Sequence, residues 1–264
     1  APPRADLALA ARPDLDPLLE GVSAIISGGP YPAVDKAESE PLMARAVNTA
    51  APARLAAAAA RAGIPIIHVS TDYVFPADGQ GPWREDDAIA PASVYGQTKA
   101  DGEDAVRASG ARHAIVRTAW VVSADGANFV KTMLRLGAER DTLNVVADQR
   151  GCPTHAGDLA QALAVIAARF TGDPDQPSGT WHCSNSGETT WHGLATQTFA
   201  IAADCGMKVP DRVAPITTAE YPTPARRPAD SRLDCSRLSA DFGMTLRPWQ
   251  DAVAEIVRQL AGRA

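Results

Sequence analysis

Ser70-Thr71-Asp72-Tyr73-Val74-Phe75, which follows the apolar run Ile64 to Val69, and Tyr95-Gly96-Gln97-Thr98-Lys99 are the stretches on which the reading of this chain turns. The apolar run has the length of a buried strand, and the segment after it is that strand's exit. The second stretch opens a helix. Its Tyr95 and Lys99 stand four residues apart and share one helical face, so a phenol and an amine can reach the same small site. A phenol is a weak acid at neutral pH, with a reference pKa of about 10. An adjacent ammonium stabilises the phenolate, which lets the proton leave during a reaction rather than before it. Thr71 adds a hydroxyl at the strand tip that can hold a carbonyl oxygen while the proton arrives. The 24 positions from Thr71 to Tyr95 suit a strand–loop–helix site. Each stretch alone has an ordinary reading, an exposed i,i+4 pair or a turn with Asp72 as its cap. Together they form an apparatus for reducing a ketone.

Working outward, Val22 to Ser27 reads as a short strand ending at Gly28-Gly29, and the alanine-rich stretch Pro41 to Arg61 as a helix stopped by Gly63. Tyr95 to Ala108 is helical, His113 to Arg117 is a strand, Asn128 to Arg140 a helix and Leu143 to Val146 a strand. Strands alternating with helices predict an α/β chain with a Rossmann-type, doubly wound parallel sheet. In such sheets ligands sit beyond the carboxyl ends of strands, where Gly28, Thr71 and Thr118 to Trp120 all fall. After Asp148 the rhythm weakens to a helix (Asp158 to Arg169), a strand (Gly179 to Cys183), a helix (Trp191 to Cys205), a proline-rich stretch and a last helix from Pro248 to Leu260.

Bulk properties narrow the function. Of 264 residues, 45% are hydrophobic, enough for a substantial core, and a net charge of −6 argues against a nucleic-acid partner. The four cysteines form no C-x-x-C pair and the five histidines no H-E-x-x-H, so neither a zinc site nor a disulfide framework is expected. No apolar run is long enough for a membrane span, and a soluble, cytoplasmic protein is expected.

The chain resembles the dTDP-4-dehydrorhamnose reductase family of extended short-chain dehydrogenases. The resemblance runs from about Val22 onward. It rests on Ala33-Val34-Asp35-Lys36-Ala37-Glu38-Ser39-Glu40, the S-T-D-Y-V-F and Y-G-x-T-K segments, Arg117-Thr118-Ala119-Trp120, Asn128 to Met133, Asp148-Gln149, Pro153-Thr154 and Tyr221 to Pro228. It implies reduction of the 4-keto group of a dTDP-sugar by NADPH or NADH, giving dTDP-L-rhamnose for surface polysaccharide. It also implies that 1–147 form the nucleotide-binding part, while 148–264 partly complete the main sheet and partly form a smaller, interleaved substrate lobe. A homodimer is a possible assembly. Rival readings are a related sugar-nucleotide epimerase or dehydratase, and a non-catalytic subunit of the same fold, such as the regulatory β subunit of methionine adenosyltransferase.

By the resemblance, Tyr95 is the proton donor, Lys99 lowers its pKa and binds the nicotinamide ribose, and Thr71 bonds the same ketone oxygen. Asp72 and Trp120 contact the substrate, the latter offering a broad apolar face to a 6-deoxy sugar or else serving as ordinary core. Gly29, Pro30 and Tyr31 match positions lining the cofactor, although the family usually has N-A-A-A-[HY]-T where this chain has Ser27-Gly28-Gly29-Pro30-Tyr31-Pro32. Arg227, with Arg226, can neutralise a pyrophosphate, or form a solvated turn or ion pair. Asn128 can donate to the substrate or cap its helix. The G-x-x-G-x-x-G turn that opens a dinucleotide-binding fold does not occur, and about thirty residues of the family pattern precede the resemblance. The expectation is that this sequence is a piece of a longer enzyme, the alternative being a natural product without the first βα unit. The residue that chooses NADPH over NADH falls in that part of the pattern.

Overall fold

A computed structural model describes residues 14–29 and 33–262. Its strands are β1 (Ile25–Ser27), β2 (Ile66–Thr71), β3 (His113–Thr118), β4 (Val121–Val122), β5 (Thr142–Val146), β6 (Arg150–Gly151), β7 (Thr154–His155), β8 (Gly179–His182), β9 (Thr189–Thr190) and β10 (Arg212–Ile216). The helices are α1 (Val34–Ser39), α2 (Pro41–Arg45), α3 (Ala51–Ala62), α4 (Val94–Ala108), α5 (Phe129–Glu139), α6 (Ala156–Gly172), α7 (Trp191–Asp204), α8 (Ser236–Phe242) and α9 (Trp249–Ala261).

The main sheet has the order β1-β2-β3-β8 and every pair in it is parallel. Side chains alternate between the two faces of a strand, so the apolar runs of β2 and β3 feed two cores. Ile66 and Ile115 pack with Ala56, Ala59 and Val106 of α3 and α4. Ile67, Ala114 and Val116 pack on the other face with Leu163, Ile166 and Phe170 of α6. Helices on both faces make the sheet doubly wound, as the strand–helix rhythm predicts. β8, from the C-terminal half, extends it beside β3.

Two expected elements differ in detail. The first strand spans only Ile25–Ser27, the three residues that pair with Ile66 to His68 of β2. The alanine-rich helix is not uniform: a π-helical stretch, Ala46–Ala50, separates α2 from α3. Pro52 follows it, and a proline has no N–H to give the carbonyl of Asn48, so the regular ladder cannot run through.

The remaining strands lie outside this sheet. β5 and β10 form a parallel pair, Leu143 opposite Val213, and β4–β7 and β6–β9 are two-residue pairings. α5, α7 and α9 bury Val130, Leu134, Leu194, Val253 and Ile256 against one another. Among the described residues, no helix is long and apolar enough to cross a membrane.

Candidate active site

The start of α4 is pressed onto the exit of β2. Ser93 caps the helix, its Oγ accepting from Gly96 N at 3.1 Å, and Glu38 Oε1 accepts from Val94 N at 2.8 Å. Gly96, the glycine of Y-G-x-T-K, permits the approach: a Cβ there would lie 2.2 Å from the Tyr73 carbonyl oxygen. Tyr95 thereby meets Tyr73 edge to face, ring centroids 5.5 Å apart. After β2 the chain makes a short 3₁₀ turn, Asp72–Val74, and its cap is Thr71, whose Oγ1 accepts from Tyr73 N at 3.2 Å. The capping role set out for Asp72 therefore belongs to its neighbour. Thr71 also donates to Asp72 Oδ1 at 3.0 Å.

The strand tip and the helix face meet. Thr71 and Asp72 are both close enough to act on the Tyr95 phenol, Thr71 through its hydroxyl and Asp72 through its charge. Tyr95, Lys99, Thr71 and Asp72 are all buried. Burial, then the Asp72 charge, push the Tyr95 phenol well above its ordinary range, with the Thr71 hydrogen bond opposing. This departs from the expected lowering by Lys99. The reason is geometric: Lys99 Nζ donates to the Val69 carbonyl at 2.6 Å, on the backbone of β2. Burial lowers the Lys99 amine to about 8, with Glu103, one helical turn on, pulling it upward. Asp72 is pushed up to about 6 by burial, against hydrogen bonds from Ser231 and Thr71.

Behind Lys99 lies an ion pair absent from the sequence reading. Arg117 of β3 donates to both oxygens of Glu103, at 2.9 and 2.8 Å, and both side chains are buried. Burial alone would raise the Glu103 carboxyl, but the Arg117 bonds and charge outweigh it and hold it at about 2. The signal was available: Glu103 stands four residues after Lys99, as Lys99 does after Tyr95, so all three share a helix face.

Arg227 reaches the same region. Its guanidinium donates to Tyr73 Oη at 2.9 Å and to Asp35 Oδ2 at 2.5 Å. Arg226 instead pairs with Asp78 on the surface. Asn128 takes the capping role: its Oδ1 accepts from Lys131 N at 3.2 Å, and its Nδ2 donates to Ser123 O at 2.6 Å. Trp120, two residues past Thr118 (the β3 partner of Thr71), has a left-handed backbone, φ 49°. Its ring stacks on Trp191 with centroids 3.6 Å apart and planes 11° apart. A Cβ on Gly151 would lie 2.4 to 2.8 Å from three atoms of the same ring, so the glycine covers the other face. The broad free face expected of Trp120 is thus taken on both sides, and its edge is what remains.

A Cβ at Gly29, just beyond β1, would meet no described atom within 4 Å. Pro30 and Tyr31, the other expected cofactor residues, lie outside the described residues. The donor set suits a nicotinamide ribose: an amine and a phenol, both buried, at the carboxyl ends of parallel strands. Among the described residues, no group of three or more His, Cys, Asp or Glu could hold a metal ion.

A parallel, doubly wound sheet with a threonine, tyrosine and lysine gathered at its strand ends defines an oxidoreductase of the short-chain dehydrogenase type. The family model described as the RmlD substrate binding domain matches residues 1–261, and the chain belongs to that family. It is 47% identical over 235 residues to the dTDP-4-dehydrorhamnose reductase of Sinorhizobium fredii, covering 88% of this chain and 79% of that protein. Over 243 residues it is 45% identical to the enzyme of the same name from Streptomyces griseus, covering 91% and 78%. The fold is similar to the crystal structure of a dTDP-4-dehydrorhamnose reductase from Clostridium acetobutylicum, with TM-score 0.87, 36% identity, and coverage of 97% of this chain and 88% of that one. The enzyme from Bacillus anthracis, solved in complex with NADP, superposes with TM-score 0.82 at 32% identity, covering 92% and 84%.

Proposed function

We propose that this protein reduces the 4-keto group of dTDP-4-dehydro-β-L-rhamnose to dTDP-L-rhamnose, using NADPH or NADH. The observation that carries this reading is the meeting of Tyr95 and Thr71 in a buried site with the Lys99 amine behind them. Reduced nicotinamide, when bound, supplies the hydride for the ketone carbon, since no side chain can. Lys99 is the residue to hold its ribose. Tyr95 delivers the proton to the ketone oxygen, and its raised pKa keeps that proton in place at neutral pH. Thr71, whose hydroxyl donates to Asp72 in this structure, turns to donate to the same oxygen. Lys99, lowered only to about 8, is mainly an ammonium at neutral pH and offsets the phenolate that forms. The atoms balance: one hydride and one proton turn the ketone into an alcohol.

Asp72 is the acceptor for a sugar hydroxyl. Arg227, held by Asp35 and Tyr73, is the cation facing the pyrophosphate, and Asn128 acts through its cap by fixing the start of α5. Within 148–264, β10 and α7 form the substrate lobe, packed against β5 and α5 of the preceding part. The product would feed polysaccharide assembly. The test is oxidation of NADPH or NADH by the full-length protein with the keto-sugar nucleotide, followed by absorbance. Tyr95→Phe is expected to lower kcat by about 10²- to 10⁴-fold, the usual worth of a general acid. Turnover unaffected by this change would remove Tyr95 from the chemistry.

A further inference from the structure

We propose that Trp191 and Gly151 are positioning residues for sugar recognition, holding Trp120 so that the edge of its ring, rather than a face, meets the substrate. The inference deepens the functional reading above and rests on it. Trp120 is the only non-glycine among the described residues with positive φ. A left-handed backbone is unfavourable for a bulky residue, and such strain persists only where the surroundings over-determine it. Three contacts do so here. Trp191 covers one face of the ring, the Gly151 backbone closes the other, and the Trp120 carbonyl accepts from Thr154 N at 3.1 Å.

Trp191 is itself fixed. It is the first residue of α7, whose cap is Thr190, and Phe129 of α5 packs against it at 4.7 Å. Its Nε1 donates to Gln149 Oε1 at 3.0 Å, and Gln149 Nε2 donates to Thr218 Oγ1 at 3.0 Å. Thr218 is tied in turn to Asp148, donating to Oδ1 at 2.6 Å. Ordinary core packing does not require a polar chain that sets the rotation of a ring. This chain links the β3 exit, next to the β2 tip that carries Thr71, to the β5–β10 side of the molecule. It also gives Asp148-Gln149 a role, although both lie away from the tyrosine and lysine.

Initial rates of the full-length protein test this, with the keto-sugar nucleotide varied at saturating NADPH. Trp191→Leu and Gly151→Ala are each expected to raise KM by about three- to tenfold, the scale of an aromatic contact, with kcat within about twofold. Trp191→Phe, which keeps an aromatic plane, is expected to restore KM to within about twofold of wild type. The exciton couplet that stacked indoles give in circular dichroism should vanish in Trp191→Leu. If Trp191→Leu does not fold, Gln149→Leu takes its place, since it frees the ring while keeping both indoles, and KM should again rise with kcat retained. Loss of the couplet with unchanged KM would overturn the positioning role while leaving the reductase reading intact. An inactive wild-type protein would overturn both.

Discussion

Asp72 shows how a single side chain can be costly to the fold and useful to the site. Its folded pKa of about 6 lies above the ordinary 3.8, and burial is the main cause. A raised carboxyl pKa means that the folded chain holds the proton more tightly than the unfolded one. The stabilising contribution is complete below pH 3.8 and is lost as pH rises through about 6. Above that, the buried carboxylate costs about 3 kcal/mol, on the scale of 1.36 kcal/mol per unit. Asp72→Asn keeps an acceptor for Thr71 and removes the titration. It is expected to raise Tm at pH 8 and to leave it near the wild-type value at pH 4, as followed by thermal melts. Equal effects at both pH values would show that the carboxylate is not the strained group. Retaining that cost fits a carboxylate needed by a ligand hydroxyl in a dry cleft.

At the scale of elements, the site depends on how closely α4 meets the exit of β2. Gly96→Ala places a Cβ 2.2 Å from the Tyr73 carbonyl, which is backbone and cannot swing aside. The change is expected to cost about 1–3 kcal/mol in denaturant melts and to lower kcat, because α4 must retreat and carry Tyr95 from Thr71. A variant as stable and active as wild type would show that the contact relaxes freely. β2, α4 and the helix capped by Asn128 were legible because a short apolar run, a tyrosine and lysine four residues apart and an Asn cap are local signals. The π-helical stretch before Pro52 was also within reach, since a proline inside a helical pattern announces a break. The sandwich around Trp120 was not, because Gly151 and Trp191 approach it only in the folded chain. Nor was the Lys99 hydrogen bond to Val69, a backbone acceptor that no side-chain pattern reveals.

For the molecule as a whole, the Glu103–Arg117 pair couples α4 to β3 through the middle of the fold. Both groups are buried; Arg117 left alone would be an uncompensated charge, whereas Glu103 would keep its bond from Arg107. Glu103→Gln is therefore expected to cost about 3–5 kcal/mol in urea unfolding. Replacing both partners by apolar residues should cost much less than the sum of the single changes. Strict additivity would mean that the pair is not the unit proposed. The clasp of Arg227 on Asp35 spans a different distance: 192 positions of chain separate its ends. On the ribosome, β1 to β3 and their helices can associate from neighbouring segments while this partner of Asp35 is still unmade. A nascent chain would thus carry its tyrosine and lysine in a half-walled groove, and the last side of that groove would be fastened only when Arg227 had emerged.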